Sequence, residues 1–346
     1  MNRQQVGQTI VDAVALPRVV RLEGRLYAAC FQLMKLLPAR HILAHAREEG
    51  VIRPGSVVIE TTSGTFGLAL AMVCALDGYR LILVSDPAID APLKRRLEDL
   101  GARVEIVTEP AAIGGFQRAR LDRMAEVQAE FPEQFCPSQY ANPLNPGAYA
   151  ALAEHLGETV GRVDCLVGSV GSGGSMCGTA AALRRSDAGL RAVGVDTHGS
   201  VLFGQPDSKR LLRGLGNSLM PRNLDHTAFD EVHWVTAAEA FRATRVLHHS
   251  NALFMGGTSG AAYLAARWEA RRNPDANVVV LLPDEGYRYQ ETIYKDEWLR
   301  ENGVWLDGLP AAPETVTGPL EASGERWARM AWGRRSYEEV TGRAAA

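Results

Sequence analysis

The sequence predicts an α/β protein built as two doubly wound parallel-sheet lobes. From about residue 50 onward, short apolar runs alternate with glycine-rich or polar turns and then helical patterns. That is the order a parallel sheet needs, because each strand must be returned to the same edge by a crossover. The apolar runs are rich in Val, Ile and Leu with few polar interruptions, as in strands covered on both faces. At 346 residues the chain also exceeds what one small core organises, so two lobes or one large domain are expected.

Taken in order, VVIE at 57–60 reads as a buried strand, TTSGT as a turn, and residues 66–78 as a small-residue helix stopped by Gly78. RLILVSD at 80–86 restarts a strand, and APLKRRLEDLGA carries a charged amphipathic helix that ends at Gly101. VEIVT and the helical stretch 114–131 complete a compact α/β unit over about 45–145. DCLVGSV, RAVGVDT, EVHWVT and NVVVLLPD are the strands of the second half, with helices near 176–185, 236–248 and 259–272. Beyond Trp305 the chain turns Pro-, Gly- and Ala-rich, which predicts a strap at the start of 306–346 and a last helix at about 324–341.

Composition narrows the function. With 46% hydrophobic and 22% charged residues the chain reads as a globular protein and not a disordered or fibrous one. A net charge of −3 and a pI near 6.3 supply no basic field for nucleic acid or an anionic membrane surface. Small-molecule partners are expected. The five cysteines show no CxxC spacing and lie in apolar sequence, so they read as reduced thiols and not as a disulfide or metal framework. The first 29 residues lack the continuous apolar stretch of a signal peptide, and no uncharged apolar run reaches the ~18 residues of a membrane span. The cytoplasm is the expected location.

Two strand-to-helix turns carry chemical potential. In VGSVGSGGSMCGTAAALRR at 167–185 an apolar strand runs into Gly171-Ser172-Gly173-Gly174-Ser175 and then a helix. Glycines admit close backbone approach, the serines offer hydroxyls, and a helix N-terminus favours an anion. A phosphate cradle, a dinucleotide loop and a plain tight turn all remain open there. The loop is not a Walker motif, and its glycine spacing misses GxGxxG, although Asp196 closes the next strand where a ribose ligand could stand. The second turn, Glu60-Thr61-Thr62-Ser63-Gly64-Thr65, is dense in hydroxyls. It could hold a carboxylate, or be an ordinary N-cap with a turn glycine.

Five segments in order over residues 25 to 300 resemble the cysteine synthase and cystathionine β-synthase-like family of fold type II pyridoxal-phosphate enzymes. TTSGTFGLALAM is similar to the family's TSGNTGxALA loop, SQYANPLNPGAY to QFxNPxNPxAH, and GSVGSGGSMCGTA to GxGTGGTxxG. GGTSGAA at 256–262 is similar to GISSGAA, and PDEGYRY at 283–289 to PxxGxRYL. The resemblance implies the tryptophan synthase β-like architecture. Residues 45–145 would be a small mobile substrate-binding lobe, and 1–44 with 146–305 a large cofactor-binding lobe.

It also implies pyridoxal 5'-phosphate carried covalently on Lys35, which stands 27 residues before Thr62 as the family lysine does, and which is the only lysine before that threonine. Its flanks Leu33, Met34, Leu36 and Leu37 suit an amine whose pKa is lowered by desolvation. By the same resemblance Gly171, Ser172, Gly173, Gly174 and Ser175 cradle the cofactor phosphate, Thr258 stands near the pyridine nitrogen, and Thr65 takes the place of the asparagine beside the ring hydroxyl. Thr62, Ser63, Gly64 and Gln139 would bind the substrate carboxylate. The implied activity is β-replacement through an aminoacrylate on an activated L-serine, O-phosphoserine ahead of O-acetylserine, by a homodimer acting on amino acids.

Leu36 and Leu37 replace the family's Asp-Arg after the lysine. With Thr65 they mark a divergent member, and GGTSG in place of GISSG, the PDEGYRYQETIY ending and RGLGNSLMP at 213–221 make the chain resemble diaminopropionate-type synthases of specialised metabolism more than housekeeping enzymes. Arg213 and Arg222 are the expected anion partners. The alternatives are an O-acetylserine-type cysteine synthase, a catalytically silent binding or regulatory relative, and a nicotinamide-dependent dehydrogenase.

Overall fold

The computed structural model describes residues 7–342. Its strands are β1 (Arg18–Arg21), β2 (Leu26–Cys30), β3 (Val57–Thr61), β4 (Arg80–Ser85), β5 (Arg103–Ile106), β6 (Cys165–Ser169), β7 (Arg191–Thr197), β8 (Glu231–Val235), β9 (Val278–Leu282), β10 (Glu314–Thr315) and β11 (Ala328–Ala331). The seven strands read from sequence are β3 to β9, and the helices that separate them form as expected. The described residues divide into two compact units, 7–16 with 32–148 and 17–31 with 149–342.

In the first unit β3, β4 and β5 form a parallel sheet, extended beside β3 by a parallel bridge from Val58 to Phe135. Helix Leu36–Glu48 buries Leu36, Ala39, Leu43 and Ala46 in one core with Phe66, Leu70 and Leu81. That packing brings residues 32–44 into this unit, where the sequence reading had begun the lobe at 45.

In the second unit the order is β1-β2-β9-β6-β7-β8-β11-β10. Strands β2, β9, β6, β7 and β8 run parallel, and β1 and β11 are antiparallel additions on either side. The expected helix at 324–341 is a correction: β11 occupies 328–331 and only Tyr337–Thr341 is helical. Within β11 Ala328 and Met330 are buried while Arg329 and Ala331 are more open, a period of two that fits a sheet edge. Trp327 Nε1 donates to His233 Nδ1 at 2.9 Å, and Arg329 meets Glu231 at 3.3 Å, which pins the strand to β8. Gly333, at φ +66°, breaks the chain before the short helix. Among the described residues no helix is long and apolar enough to cross a membrane.

Candidate active site

The sequence-selected residues fall into two sets, one in each unit. Lys35, Thr62, Ser63, Gly64, Thr65 and Gln139 lie in the first, and Gly171 to Ser175 with Thr258 in the second.

In the first unit Lys35 directly precedes helix Leu36–Glu48, in a turn closed by Leu36 N–H to Leu33 O at 3.0 Å. Leu33, Met34, Leu36 and Leu37 are all buried, and Nζ lies 6.0 Å from the Phe66 ring centroid. Desolvation lowers the Lys35 pKa to about 8, against an opposing pull from the Glu60 charge. An amine with that pKa is partly neutral near physiological pH, as a nucleophile or proton acceptor must be.

The hydroxyl-rich turn follows β3. Gly64 donates its N–H to Thr62 Oγ1 at 3.1 Å, and helix Thr65–Asp77 begins on Gly64 without a side-chain cap. Its first N–H groups are therefore available to an anion. Gly67 admits Thr62, since a Cβ at 67 would stand 2.7 Å from Thr62 Cγ2. Gln139 is brought to the same turn, its Nε2 donating to Thr61 O at 3.3 Å.

Two residues of this neighbourhood were not assigned from sequence. Glu60 is 1% exposed and accepts the N–H groups of Thr61 and Gln139 at 2.8 and 3.1 Å. Burial pushes its carboxyl up to about 7. Arg120, also buried, approaches Ser63 Oγ with Nη1 at 3.4 Å and Asp86 Oδ2 with Nε at 3.3 Å. A guanidinium carries five N–H donors, more than these two partners take up. The signal for Arg120 was its place on the stripe Phe116, Met124, Val127, Phe131, where every other member is apolar.

In the second unit β6 runs into the glycine loop and helix Gly174–Arg184, whose N-cap Gly173 contributes no side-chain bond. Gly173 has φ +85°, and a Cβ there would stand 2.7 Å from Asn223 O and Leu224 Cα. Only glycine fits. The 213–217 segment lies alongside: Gly216 N–H donates to Val170 O at 2.8 Å, and a Cβ on Gly171 would be 3.3 Å from Gly214 O. A Cβ on Gly214 would in turn be 2.8 Å from Thr258 Cγ2. The glycine loop, the 213–217 segment and Thr258 thus form one assembly. Thr258 and Ser259 are buried in the first turn of helix Gly257–Arg272, and Ser259 Oγ has no protein partner. Arg213 and Arg222 are exposed.

Comparison with known proteins identifies the family of the chain. The chain is 36% identical over 336 residues, 92% of its length and 97% of theirs, to N-(2-amino-2-carboxyethyl)-L-glutamate synthase of Cupriavidus metallidurans. It is 36% identical over 85% of its length and 91% of the relative's to the protein of the same name in Ralstonia nicotianae. Among solved structures it is similar to the O-acetylserine dependent cystathionine beta-synthase of Helicobacter pylori, with a TM-score of 0.77 and 26% identity over 84% of this chain and 100% of that one. The pattern of the pyridoxal-phosphate dependent enzymes matches residues 34–284, from just before Lys35 to just past β9, which leaves no place for the dinucleotide reading: the chain belongs to the pyridoxal-phosphate dependent enzyme family.

Proposed function

We propose that the chain catalyses β-replacement on an activated L-serine, with O-phospho-L-serine as first substrate and an amino-acid amine as the incoming nucleophile. The relatives named above, synthases that join an aminocarboxyethyl group to glutamate, support the reaction class. The observation that carries the substrate is Arg120, a buried guanidinium against the Ser63 hydroxyl of the carboxylate turn. Its planar donor fork matches a phosphate leaving group, and it replaces Arg213 and Arg222 in that role.

The second unit fits the cofactor. The uncapped helix after Gly173, whose start is seated against the Asn223–Leu224 backbone as only glycine permits, supports an anion cradle, and the buried Ser259 hydroxyl next to Thr258 is a separate unsatisfied polar group in the same unit. In this reading Gly171, Ser172, Gly173, Gly174 and Ser175 hold the phosphate, Thr258 faces the ring nitrogen, Thr65 the ring hydroxyl, and Lys35 is the covalent attachment point. Pyridoxal phosphate supplies the electron sink that lets the Cα–H bond break.

The protein's residues do the rest. The neutral Lys35 amine takes the Cα proton. Thr62, Ser63, Gly64 and Gln139 hold the substrate carboxylate, and Arg120 holds the departing phosphate. A homodimer working in the cytoplasm is part of the same proposal. Steady-state kinetics test it: kcat/KM for O-phospho-L-serine with L-glutamate should exceed that for O-acetyl-L-serine with sulfide. The reverse order returns the chain to cysteine synthesis, and no turnover with either pair makes it a silent relative.

A further inference from the structure

Glu60 stands one residue before the end of β3, buried inside a sheet. Side chains alternate along a strand, so Glu60 points to the same face as Val58, into the core that holds Leu33, Leu36 and Phe66 around Lys35. A carboxylate there is costly unless hydrogen bonds satisfy it. Two separate stretches of chain do so: Oε1 accepts the Thr61 N–H, and Oε2 the Gln139 N–H 79 positions away.

The second bond falls beside backbone strain. Ser138 has φ +53°, a left-handed conformation that non-glycine residues rarely adopt. Its carbonyl accepts the N–H groups of Ala141 and Asn142 at 3.0 and 2.9 Å, so the chain doubles back and presents Gln139 N–H to the carboxylate. Gln139 then returns a bond to Thr61 O, and Asn145 Nδ2 fixes Gln139 O at 2.6 Å.

We propose that Glu60 is the positioning residue of the substrate-carboxylate site: its carboxylate ties the Thr61–Gly64 turn to the strained Ser138–Gln139 turn and holds both in binding form. It acts through its neighbours and touches no substrate. The charged and titratable groups around it are Lys35 and Arg120, whose positive charges favour its ionised form, and Cys136 and Tyr140, whose ionisation it opposes. Asp86 enters through Tyr140 and Arg120. Protonation of Glu60 as pH falls through about 7 removes an acceptor from the tie. The role rests on the β-replacement reading only for the identity of the ligand held.

The test uses the holoenzyme with Glu60→Gln, which keeps the side chain's size and sets an amide donor against an N–H. KM for O-phospho-L-serine should rise about tenfold or more, with a smaller change in kcat, unchanged cofactor content, and loss of the acidic limb near pH 7 in kcat/KM. Adding Ser138→Gly, which adopts positive φ freely, should recover about threefold of that loss. Glu60→Asp keeps the charge and should keep the limb while raising KM. Amide hydrogen exchange across 138–142 should increase in Glu60→Gln whether or not turnover is measured. Wild-type KM and pH limb in Glu60→Gln, unchanged exchange at 138–142, or no rescue by Ser138→Gly would each overturn the role. Should Glu60→Gln not fold, a wild-type KM in Glu60→Asp overturns it. If the wild type turns over no activated serine while exchange still rises in Glu60→Gln, the proposed substrate fails and the role of Glu60 stands.

Discussion

Gly173 is a position where the proposed phosphate cradle tolerates little change. Its φ of +85° would cost an L-residue about 1–2 kcal/mol. An added Cβ would also stand 2.7 Å from Asn223 O and Leu224 Cα and 2.9 Å from Leu224 N. These are backbone atoms that cannot rotate away, and overpacking of that kind costs about 1–3 kcal/mol more. Gly173→Ala is therefore expected to cost about 2–5 kcal/mol, shared between stability and a displaced helix N-terminus. If about half of the larger figure appears in binding, cofactor affinity falls roughly fifty- to a hundredfold. Gly161→Ala is the control, because φ there is +81° but nothing lies within 4 Å of the new Cβ. Titration of apoprotein with pyridoxal phosphate, followed by the visible band, and melts with and without cofactor measure both parts. A Gly173→Ala protein with the affinity and melting shift of Gly161→Ala would refute the reasoning.

Lys35→Ala should give a folded protein without the covalent cofactor band, and borohydride should then fix no cofactor to the chain. In wild-type apoprotein, covalent uptake should speed up as pH rises through about 8, where burial places the Lys35 titration, and level off above it. Continued acceleration toward the ordinary lysine range would contradict that placement. Arg120→Leu should raise KM for O-phospho-L-serine about tenfold more than KM for O-acetyl-L-serine, since the loss of the Ser63 and Asp86 contacts is common to both and a charge-assisted bond to phosphate is lost from one substrate only. Equal effects on both would assign Arg120 to the scaffold. Thr65→Asn should preserve or improve cofactor retention, read as the rate of band loss on dialysis, because the longer amide offers a donor to the ring oxygen.

The parallel core was legible because its strands are built on short runs of Val, Ile and Leu, of which VVVLL at 278–282 is the purest. The sheet's outer additions were not. Arg18–Arg21 is a mostly exposed edge with charged ends, and its partner Leu26–Cys30 carries a strand signal only once β9 lies beside it. At the other end, 324–341 contains residues compatible with a helix, but Trp327 and Trp332 are buried at the two ends of β11 and fix it as a strand. Tertiary contact overrides local propensity there.

The site divides along a similar line. Glycine loops announce themselves, since a Cβ at Gly173 or Gly214 meets atoms that cannot move or that belong to Thr258. Lys35 is legible for the opposite reason, being a charge set among leucines. Buried charges inside otherwise charged stretches are harder, because charge in sequence normally means exposure. Arg120 looks no different from Arg118 or Arg123 until the helix is drawn and it falls on the apolar stripe. Burial alone does not make such an arginine a ligand contact, as Arg184 shows. It is also largely covered, but its three nitrogens go to Leu190 O, Ala228 O and Asp230 at 3.3, 2.8 and 2.8 Å, which consumes the fork in holding the scaffold. Arg120 has one carboxylate partner and turns its next nitrogen toward the hydroxyl of a turn whose helix is uncapped. An arginine buried, partly engaged and turned toward an open helix N-terminus has donors left for a second anion, and that combination is why Arg120 is the proposed substrate contact while Arg184 belongs to the fold.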